Sequence, residues 1–167
     1  MKKQDILLKR TSTLFLRAAV LGIGAVVLAL CVFALPAIWR AVPGEYPNHT
    51  YVFYYILLAF YLAAVPFYFA LHQAMRLLSY VDHGKAFSML AVQALKRIAI
   101  SAVAISVVFA AAMPFFYIWA QNDDAPGLLL VNMFLVLAPF TIAVFSAVLQ
   151  RLFRDAIEIK TENDLTV

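Results

Sequence analysis

Four long stretches of this chain contain no Asp, Glu, Lys or Arg: residues 18–39, 51–71, 98–120 and 127–150. Each reaches the roughly 20 residues that an α-helix needs to cross a bilayer core of about 30 Å. Lipid offers no partner to a free backbone amide, so each stretch is predicted to be helical. With 65% hydrophobic and 13% charged residues, the chain lacks an ordinary soluble surface. The sequence therefore predicts an all-α polytopic membrane protein, with residues 1–167 forming one four-helix bundle.

The first stretch also resembles the apolar core of a secretory signal peptide, because four basic residues precede it within ten positions. Its length exceeds that of such a core, and the segment CVFALPAIWR lacks a small-x-small cleavage site. We therefore interpret it as a transmembrane helix. The single cysteine, Cys31, lies within it, so we expect neither an intrachain disulfide nor a cysteine-based metal site.

Lys and Arg are distributed unevenly between the connecting segments. Five precede the first stretch, four lie between the second and third, and three follow the fourth, whereas Arg40 is the one basic residue on the other side. The positive-inside rule then predicts a multi-pass membrane protein with both termini in the cytoplasm. The net charge of +4 reflects this topology, and no basic stripe suited to direct nucleic-acid binding is present.

The predicted cytoplasmic side is larger than the outer side. Apolar residues continue at helical spacing beyond the second stretch, and they resume from Phe87 into the third. Gly84 between them is suited to a left-handed helix stop, so residues 72–97 are predicted to form a cytoplasmic helical hairpin. Residues 151–167 form a cytoplasmic tail in which helix is expected to continue to Lys160. A separate helix lying flat on the membrane surface is the alternative for the start of this tail.

Small residues recur every four positions within the predicted membrane helices. We expect these faces to allow close helix contacts or homo-oligomerisation; they comprise Ala18, Gly22, Ala25 and Ala29, then Ala102, Ser106 and Ala110, and finally Ala143 and Ala147. One proline also lies in each helix: Pro36, Pro66, Pro114 and Pro139. We interpret these prolines as tolerated kinks.

Residues suited to catalysis are scarce. Asn132 is the most polar candidate for burial and is expected to form an interhelical hydrogen bond. The three histidines lack metal-ligand spacing, and the Asp123–Asp124 pair is expected to be solvated. No nucleophile lies near a base and no glycine-rich phosphate loop is present. The sequence thus predicts no enzyme activity, no cofactor and no metal.

Two short motifs resemble a known family. Gly84, Lys85, Ala86 and Phe87 match a cytoplasmic G-x-x-F element ahead of the third helix, and ENDLTV, residues 162–167, matches a C-terminal signature. Together with the helix layout, they are similar to the small four-helix membrane proteins of domain of unknown function 2975. Genes of this family often neighbour a small helix-turn-helix regulator, so the resemblance implies, by association, a membrane protein that binds such a regulator.

The candidate partner-contact residues are therefore Gly84, Phe87, Glu162, Asn163, Asp164, Leu165, Thr166 and Val167. The terminal segment is either an extended peptide recognised by a partner or a solvated tail in which Asn163 and Asp164 stop the helix. Two function classes follow. One is a regulatory or interaction protein acting through its cytoplasmic face, and the other is a transporter or channel subunit that oligomerises into a pore for an uncharged or hydrophobic solute.

Overall fold

A computed structural model describes residues 2–45, 50–83 and 87–165, with the backbone alone for residues 2–12, 42, 43, 45, 164 and 165. Its elements are helical: α1 (Lys2–Ala29), a π-helical segment (Leu30–Ala34), α2 (Leu35–Glu45), α3 (Thr50–Asp82), α4 (Met89–Asn122) and α5 (Gly127–Leu165). The first three elements follow one another without a break. The prediction of an all-α fold is confirmed.

Four helices are long and apolar enough to cross a membrane. Their candidate spans are Thr13–Ala41, Thr50–Asp82, Met89–Asn122 and Gly127–Asn163. With 33, 34 and 39 residues, α3, α4 and α5 reach about 50–58 Å at 1.5 Å per residue. These three helices are therefore longer than a bilayer core, as their sequence pattern predicts.

The helices are arranged as an open row in the order α1, α3, α4, α5. α4 packs extensively against α3 on one side and α5 on the other, whereas α1 and α2 pack only against α3. Among the described residues, no other pair of helices has more than a marginal contact. The predicted bundle thus does not close. Lipid covers apolar side chains as well as a helix does, so the two edge helices need no second neighbour.

The row has two chemically different ends. Arg17 meets Asp82 and Phe87 meets Phe153, so the start of α1, the α3–α4 connection and the end of α5 lie together. We call this the basic end, because it holds all the described Lys and Arg side chains except Arg40.

The opposite end contains a cluster of aromatic side chains. The ring of Trp39 stacks on Tyr54 at 4.3 Å, and Tyr55 stacks on Phe115 at 4.6 Å. Phe53 and Phe116 are buried in contact with Trp119. These aromatic contacts join α2, α3 and α4 to one another.

The spacing of small residues predicts only some of the faces through which the helices pack. On α1 the predicted face, comprising Ala18, Gly22, Ala25 and Ala29, is exposed, and the contact with α3 forms on the face of Gly24 instead. A Cβ at Gly24 would lie 2.7 Å from Cδ2 of Leu71, whereas one at Gly22 would meet nothing within 4 Å. On the other two faces, Ala102, Ser106 and Ala143 are buried but Ala110 and Ala147 are exposed.

Candidate functional site at the basic end

The connection between α3 and α4 is built from local hydrogen bonds. After α3, Nδ1 of His83 lies 2.7 Å from the carbonyl oxygen of Ser79. Before α4, extended Ser88 places its hydroxyl oxygen 3.4 Å from the amide of Ala91, which donates to it as in an N-cap. Gly84 lies outside the described residues, so its predicted left-handed conformation stays a prediction.

The first turns of α4 form a packed core at this end. Ala91, Val92, Ala94 and Leu95 are all buried, and Ala91 is 0% exposed. These residues lie within segment 72–97, which the sequence assigns to the cytoplasmic hairpin. Burial of this degree requires packing against neighbouring helices, so the hairpin is a folded unit.

Phe87 joins the hairpin to α5. Its ring lies 5.1 Å from that of Phe153, although 60% of the Phe87 side chain remains exposed. α5 continues past this contact, with Ala156 and Ile157 half-buried and Arg154, Asp155 and Glu158 exposed. α5 runs without a break from its apolar part through this part. Residues 151–157 therefore do not form a separate surface helix.

The predicted C-terminal contact residues lie beyond the hairpin. Glu162 and Asn163 are exposed, and helix continues through Asp164 and Leu165. The expectation that Asn163 and Asp164 stop the helix is therefore wrong, as is an extended conformation for the described part of the segment. Asn and Asp cost only about 0.7 kcal/mol each in a helix interior, which an established hydrogen-bond ladder tolerates. Thr166 and Val167 lie outside the described residues.

The two predicted motifs are described only in part. The ring of Phe87 lies against that of Phe153, nine residues before Glu162, which corresponds to about 13 Å along a helix. Lys85 and Ala86 lie outside the described residues with Gly84. The described part of the first motif therefore contacts α5 ahead of the second motif.

A small polar cleft of about 100 Å³ lies between the ends of α3 and α4. Its polar lining comes from Gln73, Arg76 and Tyr80 of α3 and from Gln93 and Arg97 of α4. Spacings of three and four residues place each set on one helix face. The sequence analysis did not identify this cleft. The spacing of its polar residues on each helix could have indicated two polar faces.

Three polar contacts attach α1 and the π-helical segment to α3, and their positions along this continuous helix are seven residues apart. Arg17 Nη2 donates to Asp82 Oδ2 at 2.7 Å, the Tyr68 hydroxyl donates to the carbonyl of Gly24 at 2.8 Å, and the Tyr61 hydroxyl donates to the carbonyl of Cys31 at 3.0 Å. A seven-residue interval returns to the same helix face. No pattern in the sequence predicts that these tyrosines contact this helix.

The Cys31 contact follows from the π-helical segment. The amide of Leu35 donates to the carbonyl of Leu30, and in this register the Cys31 carbonyl would need an amide hydrogen on Pro36, which proline lacks. Tyr61 supplies the missing donor. Pro66, Pro114 and Pro139 also lie inside α-helices. At Pro36 the missing amide hydrogen leaves the Cys31 carbonyl to the Tyr61 hydroxyl.

Asn132 is buried as expected, with 0% exposure, but the predicted interhelical bond is wrong. Neither its side-chain oxygen nor its nitrogen has a partner among the described residues. The bond between α4 and α5 is made one turn away, where the Ser106 hydroxyl lies 3.0 Å from the carbonyl of Val136. The hydroxyl of a small residue reaches a carbonyl of a neighbouring helix only where the two helices are close. Sequence spacing alone does not reveal where that happens.

The polar turn at the opposite end has structural roles. Asp123 accepts a hydrogen bond from the indole nitrogen of Trp119 at 2.8 Å, and Asp124 adopts a positive φ of 49°. Within the described part of the chain, no three His, Cys, Asp or Glu side chains are grouped as metal ligands would be.

Helix number, apolar length and the open helical row define a polytopic α-helical membrane protein. The chain belongs to the family described as protein of unknown function (DUF2975), whose model matches residues 37–167. It is 49% identical to the uncharacterized membrane protein YoaS of Bacillus subtilis (strain 168) over 160 residues, which cover 96% of this chain and 100% of that protein. No solved structure matches the chain. The resemblance expected from the two sequence motifs is confirmed.

Proposed function

We propose that this protein is a non-enzymatic regulatory or interaction protein of the bacterial plasma membrane that binds a cytoplasmic protein through its basic end. The observation that carries the proposal is the buried core of Ala91, Val92, Ala94 and Leu95. A loop that only connects two membrane helices has no need of such a core, whereas a binding platform must hold its surface residues in place.

The end of α5 supplies a surface suited to a protein partner. Leu152 and Ile159 are 56% and 67% exposed, and both follow the charge-free stretch that ends at Gln150. Exposed apolar side chains interspersed with charged ones, where water is expected, are typical of a helix that enters a partner's groove. Residues 162–165 continue the same helix.

The orientation of this platform rests on the distribution of Lys and Arg. Reporter fusions after Lys85 and at Val167 should report a cytoplasmic location, and a fusion after Asp124 an external one. An external report from either of the first two fusions would place the platform on the wrong side for a cytoplasmic partner.

A helix-turn-helix regulator encoded beside the gene is the partner that the family resemblance suggests. The test is co-purification of the full-length protein with this regulator in mild detergent, compared with a chain that ends at Lys160. We expect the shortened chain to accumulate and melt normally but to lose the regulator. A shortened chain that fails to accumulate would show that residues 161–167 are structural.

Single substitutions refine this test. Ile159→Ala should weaken regulator binding, whereas Ile142→Ala, an exposed position in the apolar part of α5 (54% against 67% for Ile159), should not. Absence of any retained regulator, together with solute flux in proteoliposomes, would instead support an oligomeric pore.

A further inference from the structure

The α3–α4 cleft carries positive charge, and no acidic side chain among the described residues is paired with it. Arg76 and Arg97 both line it, and neither has an ion-pair partner among the described residues. Asp82 is the acidic residue of this hairpin, and its carboxylate is engaged by Arg17 at 2.7 Å. Two guanidinium groups that face one small gap would repel each other unless an anion lies between them.

Gln73 adds a hydrogen-bonding group to the cleft. Its side chain is only 3% exposed, and it lines the cleft. Buried polar groups in proteins nearly always have a hydrogen-bond partner. An anionic oxygen in the cleft would accept a hydrogen bond from the Gln73 side-chain nitrogen.

Size and donor chemistry define the class of anion. A cleft of about 100 Å³ is well below the ~300–1,000 Å³ of a pocket for a drug-sized ligand. Guanidinium groups match the geometry of phosphate oxygens through paired hydrogen bonds. The cleft therefore suits one phosphate group, with the rest of the ligand outside.

Depth along the helices identifies the source of this phosphate. Gln73 follows the charge-free stretch 51–71 by two residues, and Arg97 immediately precedes stretch 98–120, so the cleft lies at the expected level of the lipid headgroups. One turn further into the apolar region, Phe69 and Ile100 are 49% and 60% exposed. They lie seven residues from Arg76 and Gln93, hence on the cleft faces of their helices, where acyl chains would pack.

We propose that the α3–α4 cleft is a binding site for the phosphodiester headgroup of an anionic phospholipid, held by Arg76, Arg97 and Gln73. Basic pockets between transmembrane helices on the cytoplasmic side are suited to such headgroups. The site does not depend on the proposed regulator, because its residues lie on α3 and α4 and the proposed regulator surface lies on α5.

The test measures binding of phosphatidylglycerol and phosphatidylcholine to the full-length protein in mild detergent, with inorganic phosphate as a soluble probe. We expect phosphatidylglycerol to be preferred and the double variant Arg76→Gln/Arg97→Gln to weaken its binding by at least about tenfold. The control Arg151→Gln/Arg154→Gln removes the same charge from α5 and should change binding by less than about twofold.

A second variant keeps the test decisive if the arginine variant does not fold. Gln73→Glu places a carboxylate between the two arginines, so it should preserve the melting temperature while abolishing preference for phosphatidylglycerol. Gln121→Glu, the same change at the opposite end, should leave lipid binding unaltered.

Three results would overturn the proposal. They are equal loss of binding in both double-arginine variants, equal binding of the two lipids, and retention of phosphatidylglycerol preference in the Gln73→Glu protein. Stabilisation by inorganic phosphate at the same concentrations as phosphatidylglycerol would assign the cleft to a soluble phosphate and reject the lipid as its occupant.

Discussion

The two edge helices are attached to the row in different ways. In both α1 and α5 only 11% of the apolar window is buried, compared with 33% and 28% in α3 and α4. α5 nevertheless buries one continuous stripe against α4, from Leu128 to Ile157. α1 depends on a narrower contact, in which Arg17, Gly24 and Cys31 meet polar groups of α3 at seven-residue intervals.

This difference illustrates how helices associate where lipid replaces water. Apolar contact gains little over lipid contact, so close packing and interhelical hydrogen bonds must supply the free energy. α5 relies mainly on packing along its length, and α1 mainly on a few hydrogen bonds and one glycine. The two interfaces should therefore respond differently to matched substitutions.

The largest effect is expected on the packed side of the row. Ala91→Leu adds three carbon atoms at a position with 0% exposure, and overpacking of this kind costs about 1–3 kcal/mol. Unfolding in mixed micelles should show the loss, whereas Ala110→Leu on the exposed face of α4 should show none. Equal stability of the two variants would mean that the basic-end core is loosely packed.

Gly24→Leu should give the next largest loss, at the lower end of the ~1–3 kcal/mol expected for overpacking. Its Cβ would lie 2.7 Å from Cδ2 of Leu71, but that methyl group is the end of a flexible side chain and can move. Cysteine cross-linking between α1 and α3 should become less efficient. Gly22→Leu is the matched control, and a similar loss there would show that α1 uses the small-residue face after all.

Tyr61→Phe should cost about 0.6–1.7 kcal/mol, the range for interhelical hydrogen bonds in membranes. The Cys31 carbonyl would lose its donor because Pro36 cannot replace it. In a Pro36→Ala background the backbone regains an amide hydrogen, so the same Tyr61→Phe change should cost less. A double-mutant cycle that finds no coupling between positions 36 and 61 would reject this account of the π-helical segment.

The Arg17–Asp82 pair should contribute about 1 kcal/mol or less, because pairs this exposed gain little in water. The side chains are 37% and 29% exposed. Asp82→Asn should lower the melting temperature slightly in low salt, and the difference should shrink in high salt as the charges are screened. A salt-independent loss would indicate that the pair is shielded from water.

The smallest effect is expected at Asn132. Its amide has no described partner, so replacing it with Leu removes an unsatisfied polar group and should be neutral or slightly stabilising. A fall in melting temperature, absent from the nearby exposed control Met133→Leu, would show that Asn132 binds a group such as an ordered water. In that case α5 would have a second polar contact besides the one between Ser106 and Val136.

Sequence pattern located the four membrane helices because absence of charge over about 20 residues has one physical explanation in a chain this apolar. It was less successful at choosing which face of a helix packs. Ala18, Gly22, Ala25 and Ala29 have the spacing of a packing face, yet α1 packs through Gly24. Where both faces are apolar, composition does not distinguish contact with lipid from contact with protein.

The candidate site was predicted only in outline. The basic end holds Phe87 and residues 162–165, but the helix continues past Asn163, and the ring of Phe87 lies against that of Phe153. The Gln73–Arg76–Arg97 cleft was missed, because its residues belong to two helices whose register depends on how they pack.

By itself, the sequence determined the number of membrane helices, their approximate limits and their family, because these depend on composition and local pattern. Tertiary structure decided that the row stays open, that two tyrosines donate to carbonyls of α1 and the π-helical segment, that Asn132 has no partner among the described residues and that two arginines share one cleft. Each of these results depends on the rotation and register of one helix against another. Close approach of side chains and backbone fixes those variables, and a helical apolar pattern leaves them undetermined.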